Sequence, residues 1–148
     1  MEREYYQKYY RLEKEHWWFR VRAALIRERI RLSVTPAGDS QILNVGAATG
    51  GSTEWLQSFG KTISQESDPE TLEFLKQRFG RDVIGGSFES LPVEENSFDI
   101  LCAFDVLEHT INDEDCLVEA RRVLKTGGDL VLTVPAYMFL WSSHDVVN

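Results

Sequence analysis

A glycine-rich segment after a short apolar run is the part of this sequence best suited to chemistry. Residues 41–45 predict a buried strand, and the small residues of Gly46–Gly51 follow it before a helical pattern over 53–59. Gly46 and Gly50 permit backbone conformations closed to other residues and let a ligand approach the main chain. The first turn of the following helix presents unpaired N–H groups, which can hold a carboxylate or a phosphate. The segment therefore predicts a small-molecule cofactor site at the carboxyl edge of a parallel sheet.

Glu66 is the second residue of interest, because it ends the next predicted strand twenty positions after Gly46. In a parallel sheet an acidic side chain at that strand end faces the cofactor crevice and can accept both hydroxyls of a ribose. The alternative interpretation is an ordinary surface glutamate. Nicotinamide binding is also open at this point, although Ala48 stands where the dinucleotide fingerprint has its second glycine.

Composition and charge narrow the class of protein. The 148 residues correspond to one domain with a sizeable core, and the net charge is −8. Residues 1–35 carry nine Lys/Arg against five Asp/Glu, whereas residues 36–148 carry seven against nineteen. Because an acidic body repels phosphates, we expect no nucleic-acid partner. The basic N-terminal segment is either a solvated helix face or a means of steering an anionic substrate.

Other features predict a cytoplasmic protein without a metal site. We find no apolar run long enough to span a membrane and no signal peptide. Cys102 and Cys116 lack metal-ligand spacing, which is typical of reduced thiols in the cytosol. The three histidines, His16, His109 and His144, are too far apart in the sequence to suggest a metal site.

Alternating strand and helix patterns from residue 41 onward predict an α/β fold. The predicted strands are 41–45, 62–66, 82–85, 98–104 and 129–134, and the predicted helices lie near 52–59, 69–79 and 113–124. Such alternation implies right-handed crossovers, and therefore a three-layer Rossmann-like sheet of about five parallel strands with helices on both faces. We expect an N-terminal helical extension or lid over 1–38 and a cofactor-binding core over 39–148.

Two further segments identify a family when they are taken with the glycine loop. Residues 86–109 contain Gly-Ser-Phe-Glu-Ser-Leu-Pro and then Phe-Asp-Ile-Leu-Cys-Ala-Phe-Asp-Val-Leu-Glu-His, and residues 121–135 contain Arg-Arg-Val-Leu-Lys-Thr-Gly-Gly-Asp. In order and spacing, these motifs resemble those of class I S-adenosylmethionine-dependent methyltransferases over residues 40–135. Glu15–Arg22 and Val134–Asp145 further resemble a bacterial subgroup (type 11/type 23-like) in which a His-Trp-Trp-Phe helix precedes the cofactor domain.

The resemblance implies that S-adenosyl-L-methionine is the cofactor and assigns residues to it. The glycine loop would hold the methionyl part, with its carboxylate near the helix N-terminus after Gly50. Glu66, with Ser67 beside it, would take the ribose hydroxyls, and Asp105 would lie beside the transferring methyl group. Adenine would lie at Ser87 and Phe88. The implied cofactor-binding set is Gly46, Ala47, Ala48, Gly50, Glu66, Ser67, Ser87, Phe88 and Asp105.

Three residues depart from the pattern of the family. Asn44 stands where the family usually has aspartate, so one charged contact that organises the loop becomes neutral. Ala48 replaces a glycine and narrows the approach of the backbone to the ligand. Ser87 replaces the usual aspartate and weakens the expected hydrogen bond to the adenine amine.

The N-terminal third is predicted to be helical, with two adjoining apolar stripes. One stripe comprises Trp18, Val21, Leu25 and Leu32, and the other comprises Phe19, Ala23, Ile26 and Ile30. Its aromatic residues have two interpretations. Either they form a lid, with Arg20 or Arg22 reaching the methionyl carboxylate, or they pack the helix against the sheet. We favour packing, because aromatic side chains chiefly supply buried area.

The candidate catalytic residues are Asp105, His109 and His144. Methyl transfer depends more on in-line placement of nucleophile and sulfonium than on a strong base. His109 follows the fourth predicted strand closely, where it either faces the active site or makes a structural hydrogen bond at a helix start. His144 and Asp145 would form an oriented acid–base pair beyond the fifth strand.

We therefore expect a methyltransferase acting on a small-molecule or glycan/lipid-type acceptor. The main alternative is a non-catalytic module that binds S-adenosylmethionine or S-adenosylhomocysteine, or an interaction module, which has lost the substrate-binding C-terminal part. A nicotinamide-dependent oxidoreductase is a third interpretation, which segments 104–109 and 121–128 disfavour.

Residues 130–134 predict a last strand that is apolar on both faces. Members of the family normally continue with another helix and an antiparallel pair that completes the sheet and carries much of the substrate site. The sequence ends before such elements, so the strand would leave an exposed edge. We expect either a fragment or truncated form, or a second subunit that covers the edge in a homodimer.

Overall fold

Five parallel strands form one sheet in residues 3–34 and 39–136, which are the residues described by a computed structural model. The strands are β1 (Gln41–Val45), β2 (Lys61–Glu66), β3 (Val83–Gly85), β4 (Phe98–Phe104) and β5 (Leu124–Thr133). Their spatial order is β3-β2-β1-β4-β5, so the direction of winding reverses between β1 and β4. In such sheets the reversal leaves a crevice at the carboxyl ends of the two strands, where ligands bind.

Strand β1 lies in the middle of the sheet, and both of its faces are covered. Its residues from Ile42 to Val45 are all buried. Asn44 is paired with Ser64 of β2 on one side and with Cys102 of β4 on the other. A strand covered on both faces carries a nearly continuous apolar run, and the run over 41–45 is of that kind.

Helices cover both faces of this sheet, which confirms the three-layer α/β prediction. The helices are α1 (Arg3–Glu15), α2 (Trp17–Ser33), α3 (Gly51–Leu56), α4 (Pro69–Phe79) and α5 (Asp113–Val123). On one face, α2 and α3 bury Ile26, Ile30 and Leu56 against Ile42 and Ile100. On the other face, α5 buries Cys116, Ala120 and Val123 against Leu43 and Leu101. None of the helices in the described ranges combines the length and apolar character needed to cross a membrane.

Helix α4 has the bounds predicted for it because its sequence caps both ends. Asp68 accepts the N–H of Thr71 at 2.8 Å, and Pro69 occupies the first turn. Gly80 follows the last turn with φ of +62°, a conformation that suits glycine. The path between β2 and β3 is therefore encoded locally.

The N-terminal helical region divides at His16 into α1 and α2, a break that the apolar periodicity does not predict. His16 Nδ1 accepts the backbone N–H of Trp18 at 3.3 Å and caps the start of α2. The two predicted stripes of α2 also differ in burial. Ile26 and Ile30 are buried, whereas the other stripe is exposed throughout at Trp18, Val21, Leu25 and Leu32.

Helix α2 packs against the sheet as part of the core. Ile30 and Val34 join the same apolar cluster as Ile42 and Phe59. The division into an extension over 1–38 and a core over 39–148 stays a prediction.

Strand β5 begins at Leu124, earlier than the predicted start at residue 129. Residues 125–128 are polar and contain two glycines, which is why the predicted strand does not include them. In the structure Phe98 pairs with Leu124, and after a register shift Ile100 pairs with Asp129. Lys125 Nζ lies 2.9 Å from Asp99 Oδ1 and holds the irregular segment beside β4.

Candidate functional site

The turn after β1 has a conformation that requires glycine. Gly46 and Gly50 have φ of +62° and +88°, and Ala48 between them has φ of +47°. A Cβ added to Gly46 would lie 2.5 Å from Val106 Cγ2, and one added to Gly50 would meet the ring of Phe79. Both positions therefore exclude side chains by conformation and by space.

The end of β2 fastens this loop through Glu66, which is 8% exposed. Its Oε2 accepts the N–H of Ala48 at 3.0 Å, and its Oε1 accepts the N–H groups of Ser67 and Asp68 at 2.9 and 3.1 Å. Glu66 is thus a buried carboxylate beside the glycine loop. A carboxylate has about four acceptor positions, so Oε2 retains capacity for a ligand hydroxyl.

Gln65 is a second anchor, which the sequence analysis missed. Its side chain is buried, its Oε1 accepts the N–H of Gly46 at 3.1 Å, and its Nε2 donates to the carbonyl of Gly86. Its backbone carbonyl accepts the N–H of Ala47 at 3.0 Å. Three neighbouring segments of the carboxyl edge therefore meet at one residue.

Asn44 lies beneath the loop in a buried polar network. It is 1% exposed, and its Nδ2 donates to the hydroxyls of Ser52 at 2.9 Å and Thr53 at 3.0 Å. Thr53 in turn shares a hydrogen bond of 2.7 Å with Ser64. This network couples β1, β2 and the start of α3 without a charged group.

Asp105 follows β4 and is held in a fixed direction. Its φ of +55° places it in the left-handed region, which Asp adopts more readily than most residues. Its Oδ2 lies 2.6 Å from Arg22 Nη2, and its Oδ1 accepts the hydroxyl of Thr133 at 2.8 Å. The same Arg22 nitrogen donates to Thr133 Oγ1 at 2.9 Å. Helix α2 and the ends of β4 and β5 therefore converge on this carboxylate.

Helix α1 covers the glycine loop. The hydroxyl of Thr49 donates to Glu13 Oε2, and the N–H of Gly51 donates to the same carboxylate. Glu13 thus lies beside the helix start after Gly50, where the methionyl carboxylate is predicted to bind. Burial raises the pKa of Glu13, although these two hydrogen bonds act in the opposite direction.

Aromatic and charged contacts hold α1 in this position. Tyr6 is 6% exposed, stacks on Phe74 and donates to Glu70 Oε2 at 3.3 Å. The guanidinium of Arg78 lies 3.6 Å from the centroid of the Tyr10 ring. Tyr6 and Tyr10 therefore pack α1 against α4, as the packing interpretation predicts.

Two tryptophans at the start of α2 and a tyrosine of α1 differ in their exposure to solvent. Trp17 and Trp18 are 65% and 52% exposed, so they do not pack in the core. Burial, and next the nearby carboxylate of Glu13, raise the pKa of Tyr9 to about 12. Tyr9 thus lies close to Glu13.

Three other predicted cofactor residues differ widely in exposure. Ser67 and Ser87 are exposed and follow β2 and β3. Phe88 is only 4% exposed and lies in the core cluster with Leu91. Its ring therefore packs the core and has little surface left for the adenine contact predicted for it.

The histidines give no catalytic pair in the described residues. His109 is exposed at the end of the single turn Leu107–His109, where its N–H donates to the carbonyl of Val106 at 3.0 Å. His144 and its predicted partner Asp145 lie outside the described residues. Among the described side chains, no group of three or more His, Cys, Asp or Glu could hold a metal ion.

The crevice suits a positively charged adenosyl cofactor in two respects. Gly46 and Gly50 carry no Cβ, so the main chain is open to close approach, and Glu66 can accept a ribose hydroxyl. The carboxylates of Glu66, at the end of β2, and of Glu13, which reaches the loop from α1, form no ion pair with a described side chain and favour a cation. Periodicity could not reveal Glu13 or Gln65 as site residues, because their partners lie far away in the sequence.

Comparison with known proteins agrees with this site. A family model described as a methyltransferase domain matches residues 43–132. The sarcosine/dimethylglycine N-methyltransferase of Aphanothece halophytica is 35% identical over 109 residues, which cover 68% of this chain and 39% of that protein. The enzyme of the same description from Halorhodospira halochloris is 31% identical over 66% of this chain and 38% of its own length. The chain thus spans about two fifths of these curated relatives.

Solved structures share the fold. The PH0226 protein of Pyrococcus horikoshii superposes with a TM-score of 0.69 at 18% identity, over 84% of this chain and 64% of that one. The CurJ carbon methyltransferase superposes with a TM-score of 0.70 at 22% identity, over 85% of this chain and 38% of that one. Because the family model matches more than half of the chain, at the elements that form the crevice, the chain belongs to the S-adenosylmethionine-dependent methyltransferases.

Proposed function

We propose that this chain binds S-adenosylmethionine at the carboxyl edge of β1, β2 and β4 and serves methyl transfer to a small-molecule acceptor. The observation that carries the proposal is the contact between the buried carboxylate of Glu66 and the N–H of Ala48. This contact places a ribose acceptor directly beside a loop whose glycines admit a ligand.

The chain's own residues would divide the cofactor between them. The main chain of Gly46, Ala47, Ala48 and Gly50 would line the methionyl part, and Glu66 with Ser67 would bind the ribose. Adenine would lie toward Ser87, with Phe88 supporting that loop from the core. When bound, S-adenosylmethionine supplies an electrophilic methyl group on a positively charged sulfur.

Asp105 would position the reacting groups. Arg22 and Thr133 hold one carboxylate oxygen each, so the side chain cannot rotate freely. A fixed carboxylate beside a sulfonium suits in-line placement, on which methyl transfer depends. His109 and His144 remain proposals as proton acceptors for the acceptor substrate.

The acceptor is proposed to be a small molecule with an amine. The relatives from Aphanothece halophytica and Halorhodospira halochloris are described as acting on sarcosine and dimethylglycine, which are small amino acids. The paired charges of Arg22 and Asp105 are suited to a zwitterion of that kind.

The chain is also proposed to be cytoplasmic. Cys102 and Cys116 are buried and form no disulfide, which is typical of a reducing compartment.

A binding module without turnover is the second candidate. It is favoured by the position of α1, whose Glu13 contacts the glycine loop, and by the limited share of the relatives that the chain spans. Binding and turnover must therefore be measured separately.

Calorimetry of the purified chain tests the proposal. S-adenosylhomocysteine is expected to bind, and NAD is expected to give no heat. Glu66→Gln should weaken binding of S-adenosylhomocysteine by about 10-fold or more, since it removes a charged acceptor. The exposed Glu95→Gln is the matched control. Absence of binding by the wild-type chain would overturn the proposal, and binding without methylation of sarcosine, dimethylglycine or other amines would favour the module.

A further inference from the structure

Glu13 is a half-buried carboxylate at the crevice to which the proposed function gives no role. It lies in the last turn of α1, outside the segment that the family model matches. Even so, its carboxylate reaches the glycine loop, where it accepts hydrogen bonds from the hydroxyl of Thr49 and the N–H of Gly51. A Cβ added to Gly51 would lie 2.8 Å from Glu13 Oε2, so the glycine admits the carboxylate.

The charge of Glu13 has no direct partner among the described side chains. The ion pairs there do not include it, although Asp105, the other carboxylate on this side of the crevice, is paired with Arg22 at 2.6 Å. Arg78 and Arg22 act on Glu13 only at longer range, and burial outweighs them, so its pKa is raised. A partly desolvated carboxylate of this kind is stabilised by a cation that binds beside it.

Strand β1, which precedes the glycine loop, supplies no carboxylate that could bind a cation in place of Glu13. Asn44 is neutral, and its amide is committed to Ser52 and Thr53 beneath the loop. Glu66 is committed on its Oε1 to two backbone N–H groups on the far side, toward α4. Glu54, in the first turn of α3, is already paired with Lys14 and Arg78, whereas Glu13 contacts the loop and forms no ion pair with a described side chain.

We propose that Glu13 binds the α-ammonium group at the amino-acid end of the cofactor, so that helix α1 contributes a cofactor-binding residue from outside the matched core. This inference rests on the proposed function. Helix α1 would thereby supply the negative charge that is absent at Asn44, where the family usually has aspartate.

Two ligands and one pair of variants test the proposal by calorimetry. S-adenosylhomocysteine carries the amino-acid end, whereas 5′-methylthioadenosine carries the same adenosine without it. Glu13→Gln keeps an acceptor for Thr49 or Gly51 and removes the charge, and the exposed Glu15→Gln on the same helix is the matched control. Loss of a hydrogen bond to a charged group corresponds to about 10- to 100-fold in affinity. Thermal melting of each variant reports on folding independently.

The expected result is that Glu13→Gln loses about 10-fold or more in affinity for S-adenosylhomocysteine, while its affinity for 5′-methylthioadenosine is unchanged. Unchanged or tighter binding of S-adenosylhomocysteine, or equal losses for the two ligands, would overturn the role of Glu13 and leave the proposed function intact. A wild-type chain that binds neither ligand would overturn both proposals.

Discussion

At the scale of single residues, the departure at Asn44 has a structural reason. An aspartate there would bring a charge into a site that is 1% exposed, whereas the Asn44 amide donates to two hydroxyls. The neutral network satisfies the buried polar groups and fixes the start of α3. The sequence predicted the loss of a charged contact but not the hydroxyls of Ser52 and Thr53 that replace it.

Glu108 is a half-buried acid beside the site and makes the stability dependent on pH. Among the described side chains, its Oε2 is a buried oxygen without a hydrogen-bond partner. Burial raises the pKa of Glu108, and Asp105 raises it further, while His109 and Arg22 lower it. The folded chain therefore binds this proton more tightly than the unfolded chain, so stability falls as pH rises from about 4.3 through the raised pKa.

We expect Glu108→Gln to remove this loss of stability at rising pH, because the amide stays neutral at every pH. The difference in free energy of unfolding between Glu108→Gln and wild type should increase from pH 4 to pH 7, as measured by urea denaturation at several pH values. The exposed Glu94→Gln should follow the wild-type profile. Parallel profiles for Glu108→Gln and wild type would show that the carboxyl is already solvated.

At the scale of elements, Arg78 of α4 joins α1, α3 and the glycine loop. Its Nη1 donates to the carbonyl of Thr49, its Nη2 lies 2.6 Å from Glu54 Oε1, and its guanidinium covers the ring of Tyr10. A planar guanidinium can make all three contacts at once, which a lysine ammonium cannot. Arg78 is therefore one of the side chains that hold α1 over the loop.

We expect Arg78→Lys to destabilise the chain by about 1–3 kcal/mol, through loss of charged hydrogen bonds and ring stacking. Amide hydrogen exchange in α1 should accelerate more than exchange in α5, which Arg78 does not contact. Arg81→Lys, at an exposed position just after α4, is the matched control. Unchanged exchange in α1 would mean that Tyr6 and its neighbours hold the helix without Arg78.

The elements also show what could be predicted from the sequence. Helix α4 was predicted with its bounds because Asp68, Pro69 and Gly80 are local signals. The start of β5 was missed because Lys125 is held beside β4 by Asp99, a long-range contact. The same limit applies to the site. The strand-end position of Glu66 is visible in the sequence, whereas the reach of Glu13 and Arg78 to the loop depends on packing between distant helices.

At the scale of the whole molecule, the described sheet has an apolar edge. Strand β5 pairs only with β4 within the described residues, and Leu130 is 38% exposed. Helix α2 runs alongside it, since Ile30 and Ser33 line a surface depression together with 129–132. The C-terminal half of α2 and the edge of β5 therefore lie side by side.

A second copy of the chain is proposed to cover this surface, as a homodimer. Exposed apolar residues beside an open strand edge favour association. Light scattering after size-exclusion chromatography should give about twice the monomer mass of 17.0 kDa at micromolar concentration. Leu130→Lys with Val134→Lys should return the chain to a monomer, because each places a charge on exposed apolar surface in or directly after β5. Val118→Lys, at a position 68% exposed on α5 across the sheet, should remain dimeric. A wild-type chain that elutes as a monomer at every concentration would show that this edge is stable in water on its own.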